Sequence, residues 1–414
     1  MIQIITSEKY TRRKSQSSDA KTAETVSGIL EDVKTYGDKA VKYYEWRFTG
    51  KRLPLRVTDE EIADGLRAVG EKYTAVLERS AENIREFHRH QLPESFKLSP
   101  SDGIIIGQRV IPLQRVGIYI PGGTASYPSS VLMNVIPAKI AGCEEIIISS
   151  PTITPEIIAS AKIAGATSIY RMGGSQAIGA LAYGTESVPK VDKITGPGNV
   201  YVAEAKRQVY GAVDIDMTAG PSEIMIIADD DSNPKYIASD LIAQSEHDEN
   251  ATAILVTTSE RLAQEVQTET ERQLETLSRK DIARASLDNN GAIILVSTID
   301  DAINLANDTA PEHLEICVSN AFELSERVRN AGSVFIGEYS PEALGDYYAG
   351  TNHTLPTMGT AKFSSPLSVM DFVKTSQYIY YSREELMRVS DDIEILAKSE
   401  GLTGHARSIA VRRE

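Results

Sequence analysis

From about residue 104 to residue 337, short runs of β-branched residues alternate with stretches of helical periodicity. This alternation narrows the fold more than anything else in the chain. Consecutive strands separated by a helix need a crossover connection, which makes neighbouring strands parallel and lays helices on the sheet faces. GIIIGQRVIPLQRVGIYIPGG supplies two or three strands and ends in a glycine turn. After it come a helix over 128–141, strand EEIIIS, a helix over 155–164, strand SIYRM, a helix over 175–183, strand VDKIT and a helix over 200–210. A second set starts near Glu223 with EIMIIAD and the helix PKYIASDLIAQSEH. It continues through TAILVTT, a long helical stretch over 259–285, AIILVS, the helix DDAINLAND, HLEICVS, the helix AFELSERVRNAG and SVFIG. The expected fold is α/β, with two Rossmann-like parallel sheets of comparable size.

The flanks differ. Val26, Ile29, Leu30, Val33, Val41 and Tyr44 recur at helical spacing, and Thr58 with Glu61 forms a capping box. In NIREFHRHQ, His88 and His90 lie two apart. On a helix that splays them by about 200°, so they share no metal and read as solvated surface. Near the end, Ser382 and Glu385 form a second capping box, ahead of a thin apolar stripe of Leu386, Val389, Ile393 and Leu396. So small a tail cannot hold a core alone; it must pack on its own chain or on a partner.

Composition excludes some functions. A chain of 414 residues needs more than one core. Its net charge of −15 opposes binding to nucleic acid or anionic membranes. Cys143 and Cys317 form no ligand spacing, which argues against a disulfide framework and for a reducing compartment. The first residues, MIQIITSEKYTRRKSQ, contain no apolar signal core. A soluble, cytoplasmic protein is expected.

Candidate chemistry centres on LIAQSEHDEN, where Gln244 and His247 lie three apart and share a helix face. Of the six histidines, His247, His313, His353 and His405 sit at element ends or in loops. His313 follows Glu312, and a carboxylate beside an imidazole offers two bases of different strength. Asp346 and His353 share a Gly/Asn/Thr-rich loop, and Glu400 and His405 share another broken by glycines. A mixed His, Asp and Gln set suits zinc, but nothing in the spacing requires these segments to meet. Cys317 shares a strand face with His313, yet strand rise separates them by about 13 Å, too far for a nucleophile–base pair. Glycine clusters at Pro121-Gly122-Gly123, Gly173-Gly174 and Gly196-Pro197-Gly198 fit either phosphate binding or plain tight turns. None completes G-x-G-x-x-G, since Tyr201 holds the third position.

Eleven segments in order resemble the histidinol dehydrogenases. Among them are ILEDVKTYGDKAV, VGIYIPGGTASYPSSVLMNVIPAKIAG, GGSQAIGALAYGT, ITGPGNVYVAEAKRQV, DMTAGPSEI, SEHDENA, NDTAPEHLEI, GDYYAGTNHTLPT and EGLTGHARS. The resemblance implies zinc held by Gln244, His247 and Asp346, with His405 coming from the other subunit of a homodimer. It implies Glu312 and His313 as the acid/base pair. Substrate contacts would be Ser222 and Glu400 together with His313 and the zinc ligands. It implies NAD contacts at Tyr119, Gln176 and Asn199, each in a glycine cluster. The implied reaction is oxidation of L-histidinol to L-histidine by two NAD+, the last steps of histidine biosynthesis. The implied division is an arm over 1–20, one Rossmann-like domain over 21–118 and 221–365, a second over 119–220 that carries the NAD contacts, and a swapped tail over 366–414.

Two other readings remain open. A paralogue could oxidise a different amino alcohol or diol with the same groups, and a zinc hydrolase could use Glu312 to activate water without consuming NAD.

Overall fold

Strands that read as near-continuous apolar runs belong where both sheet faces are covered. Ile146, Ile147 and Ile148 are fully buried in one such strand, and Ile224, Met225, Ile226 and Ile227 in another. The computed structural model describes residues 1–11, 19–122, 127–218 and 220–414. Its chain forms two units, Met1–Gln91 with Leu113–Phe372, and Leu92–Pro112 with Val373–Glu414.

The larger unit contains both expected parallel sheets. The first runs in the order Ser168–Arg171, Glu145–Ser150, Arg115–Tyr119, Lys193–Thr195 and Asp214–Ile215. The second runs Gln3–Thr6, Ala292–Leu295, Thr252–Thr257, Glu223–Ala228, His313–Cys317 and Ser333–Ile336. All neighbours within these two sheets pair in parallel. The first sheet reverses its strand order once, and so does the second apart from its edge strand Gln3–Thr6. The reversal falls between Arg115–Tyr119 and Lys193–Thr195 in the first sheet, and between Glu223–Ala228 and His313–Cys317 in the second.

Several details depart from the sequence reading. The first strand comes from the arm, where Gln3–Thr6 pairs with Ala292–Leu295 and extends the second sheet. The N-terminal helices share a core with the first sheet, through Val26, Leu30, Val33 and Val41 against Ile178, Leu181 and Val202. The expected division had assigned them to the second sheet's domain. The stretch over 259–285 is two helices, Glu260–Leu274 and Lys280–Asn290. AFELSERVRNAG is helical only over Ala321–Ser325.

His88 is fully buried, not solvated. It continues the stripe Leu77, Ala81 and Ile84 on the helix Glu71–Arg89, and its Nδ1 lies 2.6 Å from Gln91 Oε1. The splay argument still holds for His90, which is exposed. The helical stripe outweighed the polarity of the ring.

In the smaller unit, Phe96–Leu98, Ile104–Pro112 and Val373–Tyr381 form an antiparallel sheet, followed by helices Arg383–Ser399 and Thr403–Ala410. Residues 92–112 therefore pair with the tail. Ser382 caps its helix through Glu385 N–H, but the Glu385 carboxylate turns to Arg388, leaving the box half made.

One glycine fixes how closely the first sheet's two switch-point strands approach. Gly196 follows Lys193–Thr195 with φ +107, and a Cβ there would strike the Tyr119 carbonyl. Gly211 has nearly the same φ, +100, with open space around it. Gly211→Ala should cost about 1–2 kcal/mol from backbone strain alone. Gly196→Ala should cost clearly more, and urea unfolding of both variants would separate the contributions. Equal losses would mean that the close approach does not matter.

Candidate active site

The site builds outward from the amino ends of two adjacent strands. Parallel pairing sets His313 opposite Ile224. This register places the backbone of one residue, Glu223, against both members of the Glu312–His313 pair. Glu223 N–H donates to Glu312 Oε2 at 2.9 Å, and the Glu223 carbonyl lies 3.3 Å from His313 Nδ1. Ser222 also bonds to the Glu312 carboxyl. Both Glu312 and His313 are buried.

The Glu223 carbonyl contact favours one tautomer. The Glu223 carbonyl can only accept, so Nδ1 carries the ring proton. Glu312 Oε2 and Glu342 Oε1, each 3.8 Å from Nδ1, favour the same placement. Gln244, with its amide nitrogen turned to Glu342, lies 3.0 Å from both carboxylate oxygens and 3.2 Å from Nδ1. The proton on Nδ1 directs the amide hydrogens to Glu342. His313 Nε2 is then a bare lone pair, buried and without a hydrogen-bond partner.

Burial controls the proton affinities. It pushes His313 down to about 4, while the Asp346 charge pulls the other way, so the ring is neutral near pH 7. It pushes Glu312 well above the usual carboxylate range, against the opposing bonds from Glu223 N–H and Ser222. A neutral imidazole and a carboxyl of raised proton affinity form a pair able to take protons in turn.

Gln244 closes the helix Pro234–Ser245 and is fully buried, and His247 follows just beyond its end. Asp346 does not lie in a loop as expected; it sits on the short helix Glu342–Tyr347. Ligand atoms of His247, Glu342 and Asp346 lie within 4.8 Å of one another. One imidazole and two carboxylates, with an amide adjoining, make a donor set suited to a divalent cation such as zinc.

Glu342 was missed in the sequence reading. It lies four residues before Asp346, the spacing of one helix face, a signal available only once PEALGDYY is read as helix. His353 has its Nδ1 3.7 Å from Asp346 Oδ1 and its Nε2 3.4 Å from Ser130 Oγ. Among the described residues, two non-glycines have positive φ. These are Ala310, just before Glu312, and Met358, whose N–H donates to Glu223 Oε1 at 2.8 Å. Such strain costs about 1–3 kcal/mol and gathers where geometry serves function.

Ser130 lies on Pro128–Ala141, the helix that follows the first sheet's strand Arg115–Tyr119. Through His353 it links the carboxyl end of that sheet to the amino end of the second. Tyr119 and Gln176 share the Gly173–Gly174 turn. The Tyr119 hydroxyl accepts from Gly174 N–H at 3.1 Å, and Glu45 accepts from Gly173 N–H and Gln176 Nε2, both at 2.8 Å. Gln176 Oε1 is buried without a partner. Asn199 caps the helix Val200–Val209, and Ser175 reaches the nearby Tyr201 carbonyl at 3.1 Å. Gly123 lies outside the described residues. Glu400 and His405 belong to the smaller unit, at the end of Arg383–Ser399 and on Thr403–Ala410, and both are exposed. Cys317 is buried at the far end of its strand.

A histidinol dehydrogenase family profile matches residues 11–413. The histidinol dehydrogenase of Lactococcus lactis is 50% identical over 413 residues, covering 98% of this chain and 96% of that protein. That of Clostridium acetobutylicum is 52% identical over 400 residues, covering 95% and 93%. A crystal structure of histidinol dehydrogenase from Elizabethkingia anophelis superposes with a TM-score of 0.91 at 37% identity, covering 97% and 94%. An acetylating aldehyde dehydrogenase from Geobacillus thermoglucosidasius, at TM-score 0.50 and 14% identity over 87% and 97%, shares the fold alone. Matched along nearly its whole length, this chain belongs to the histidinol dehydrogenase family.

Proposed function

We propose that this chain oxidises L-histidinol to L-histidine through L-histidinal, with two NAD+ and one water, at a site shared between two copies of the chain. The observation that carries the reading is the bare, buried Nε2 of His313 beside Glu312 and the His247–Glu342–Asp346 cluster. A carbinol releases hydride only as its hydroxyl loses a proton, and His313 Nε2 takes that proton. Glu312, with its raised affinity, then removes a proton from the water that adds to the aldehyde. As water adds, His313 returns its proton to the former aldehyde oxygen, which completes the gem-diol and frees Nε2 to deprotonate it as the second hydride leaves. NAD+ accepts both hydrides.

Gln244, His247 and Asp346, with His405 of the partner subunit, would hold zinc, which would supply a Lewis-acidic anchor for the substrate's imidazole and amine. Glu342, by receiving the Gln244 amide nitrogen, keeps the amide oxygen available to the metal. Ser222 and Glu400 of the partner subunit complete the substrate contacts.

We assign the dinucleotide to the first sheet's switch point, at Tyr119, Gln176 and Asn199. That crevice is lined by glycine turns and the unpartnered Gln176 Oε1. The second sheet's carboxyl edge instead carries Asp229, Asp230, Asp231 and Glu338, which repel a pyrophosphate. A second copy of the chain is supported by the smaller unit's surface, where Ile379 is 75% exposed and Ile395 and Leu396 are each 66% exposed. We place the enzyme in the cytoplasm, in keeping with two cysteines that are free and buried. Among the described residues, no helix is long and apolar enough to cross a membrane.

Glu312→Gln should split the two oxidations. In single-turnover NADH traces the first hydride step should hold within about tenfold, while the second falls by about 10² to 10⁴. Equal losses on histidinol and histidinal would contradict the assigned roles. His405→Asn and His313→Ala, each inactive alone, should recover up to about a quarter of native activity when mixed under subunit exchange. Verified heterodimers with no recovery would rule out a shared site.

A further inference from the structure

Four of the groups assigned so far, Gln244, His313, Glu342 and Asp346, sit on three elements: the helix Pro234–Ser245, the strand His313–Cys317 and the helix Glu342–Tyr347. A second carboxyl pair, outside the proposed chemistry, joins the same three. Glu315 lies two residues along the strand from His313, on the same face, and is 1% exposed. One of its oxygens accepts the Glu342 N–H at 2.8 Å, holding the first turn of the helix that carries Glu342 and Asp346. Its carboxyl also meets that of Asp240, one turn before Gln244 on the longer helix. Glu315 Oε2 is buried with no hydrogen-bond donor facing it.

A buried acid inside an apolar strand is costly unless its hydrogen bonds are made. Here the bonds made lead only to the two elements that carry the metal-competent side chains. We propose that Glu315, bonded to Asp240 and to the Glu342 backbone, is a positioning residue that sets the spacing of Gln244, His313 and Asp346. It touches neither substrate nor cofactor. This proposal rests on the metal reading above, and the test separates the two.

Zinc affinity is measured by competition with a chromogenic chelator on the full chain, alongside thermal unfolding and steady-state kinetics. Glu315→Gln keeps an acceptor for Glu342 N–H and gains a donor to Asp240, so its zinc affinity and kcat should stay within about threefold of native. Glu315→Met matches the volume but makes neither bond. Its zinc affinity should fall about 10- to 100-fold, the usual cost of removing a group that orients ligands. Its kcat should drop while the KM for NAD+ holds. Asp240→Ala removes the link from the more accessible side and should weaken zinc binding in a folded protein even if Glu315→Met does not fold. Folded Glu315→Met or Asp240→Ala with native zinc affinity would overturn the proposal, as would Glu315→Gln as damaging as Glu315→Met. A native chain that binds no zinc would overturn the metal reading itself.

Discussion

The site depends on the parallel pairing of Glu223–Ala228 with His313–Cys317. That pairing delivers the backbone of a single residue, Glu223, to both catalytic candidates. The Glu223 N–H steadies the Glu312 carboxyl, and the Glu223 carbonyl holds the proton of His313 on Nδ1. A slip of one residue would turn His313 to the opposite face of the sheet. The apolar residues on both sides prevent that slip, since Leu314 and Ile316 fill one core while Cys317 belongs to another. The hydrophobic pattern of HLEIC therefore determines which nitrogen of the histidine is free.

Around this pair the chain buries an unusual concentration of acid. Glu312, Glu315 and Glu342 are each at most 5% exposed. Burial raises all three well above the ordinary carboxylate range, and repulsion from nearby carboxylates adds to it, from Asp346 at Glu312 and Glu342 and from Asp240 at Glu315. Burying unpaired ions costs several kcal/mol each, so the arrangement implies protons or a cation in the site. A divalent ion among His247, Glu342 and Asp346 would lower that cost directly. The two sheets then divide the work. The first offers glycine turns at its switch point, where a nucleotide is expected, and the second offers carboxylates and imidazoles at its amino edge.

How much of this was readable in the sequence depends on how local the signal was. Alternating patterns placed nearly all the strands and crossover helices, because burial on both faces leaves a continuous apolar run such as EIIIS. The strand Gln3–Thr6 escaped notice because a short edge strand carries little pattern of its own. His88 was misread because its residue type was given more weight than its place on the Leu77–Ile84 stripe. Glu342 was missed because glycine and tyrosine neighbours made its short helix look like a loop. Glu315 did leave a trace, as the single charge within the strand HLEIC. The meeting of Gln244 with Glu342 and His313 is a product of tertiary structure, and no spacing along the chain could have announced it.

The central claim is that a neutral imidazole base serves two successive hydride transfers on a metal-anchored substrate. Counting NADH formed per L-histidinol consumed, with and without a zinc chelator, tests it most directly. The account predicts two NADH per substrate and loss of turnover as metal is withdrawn, with activity restored by added zinc. One NADH per substrate, or two that persist after complete metal removal, would contradict it.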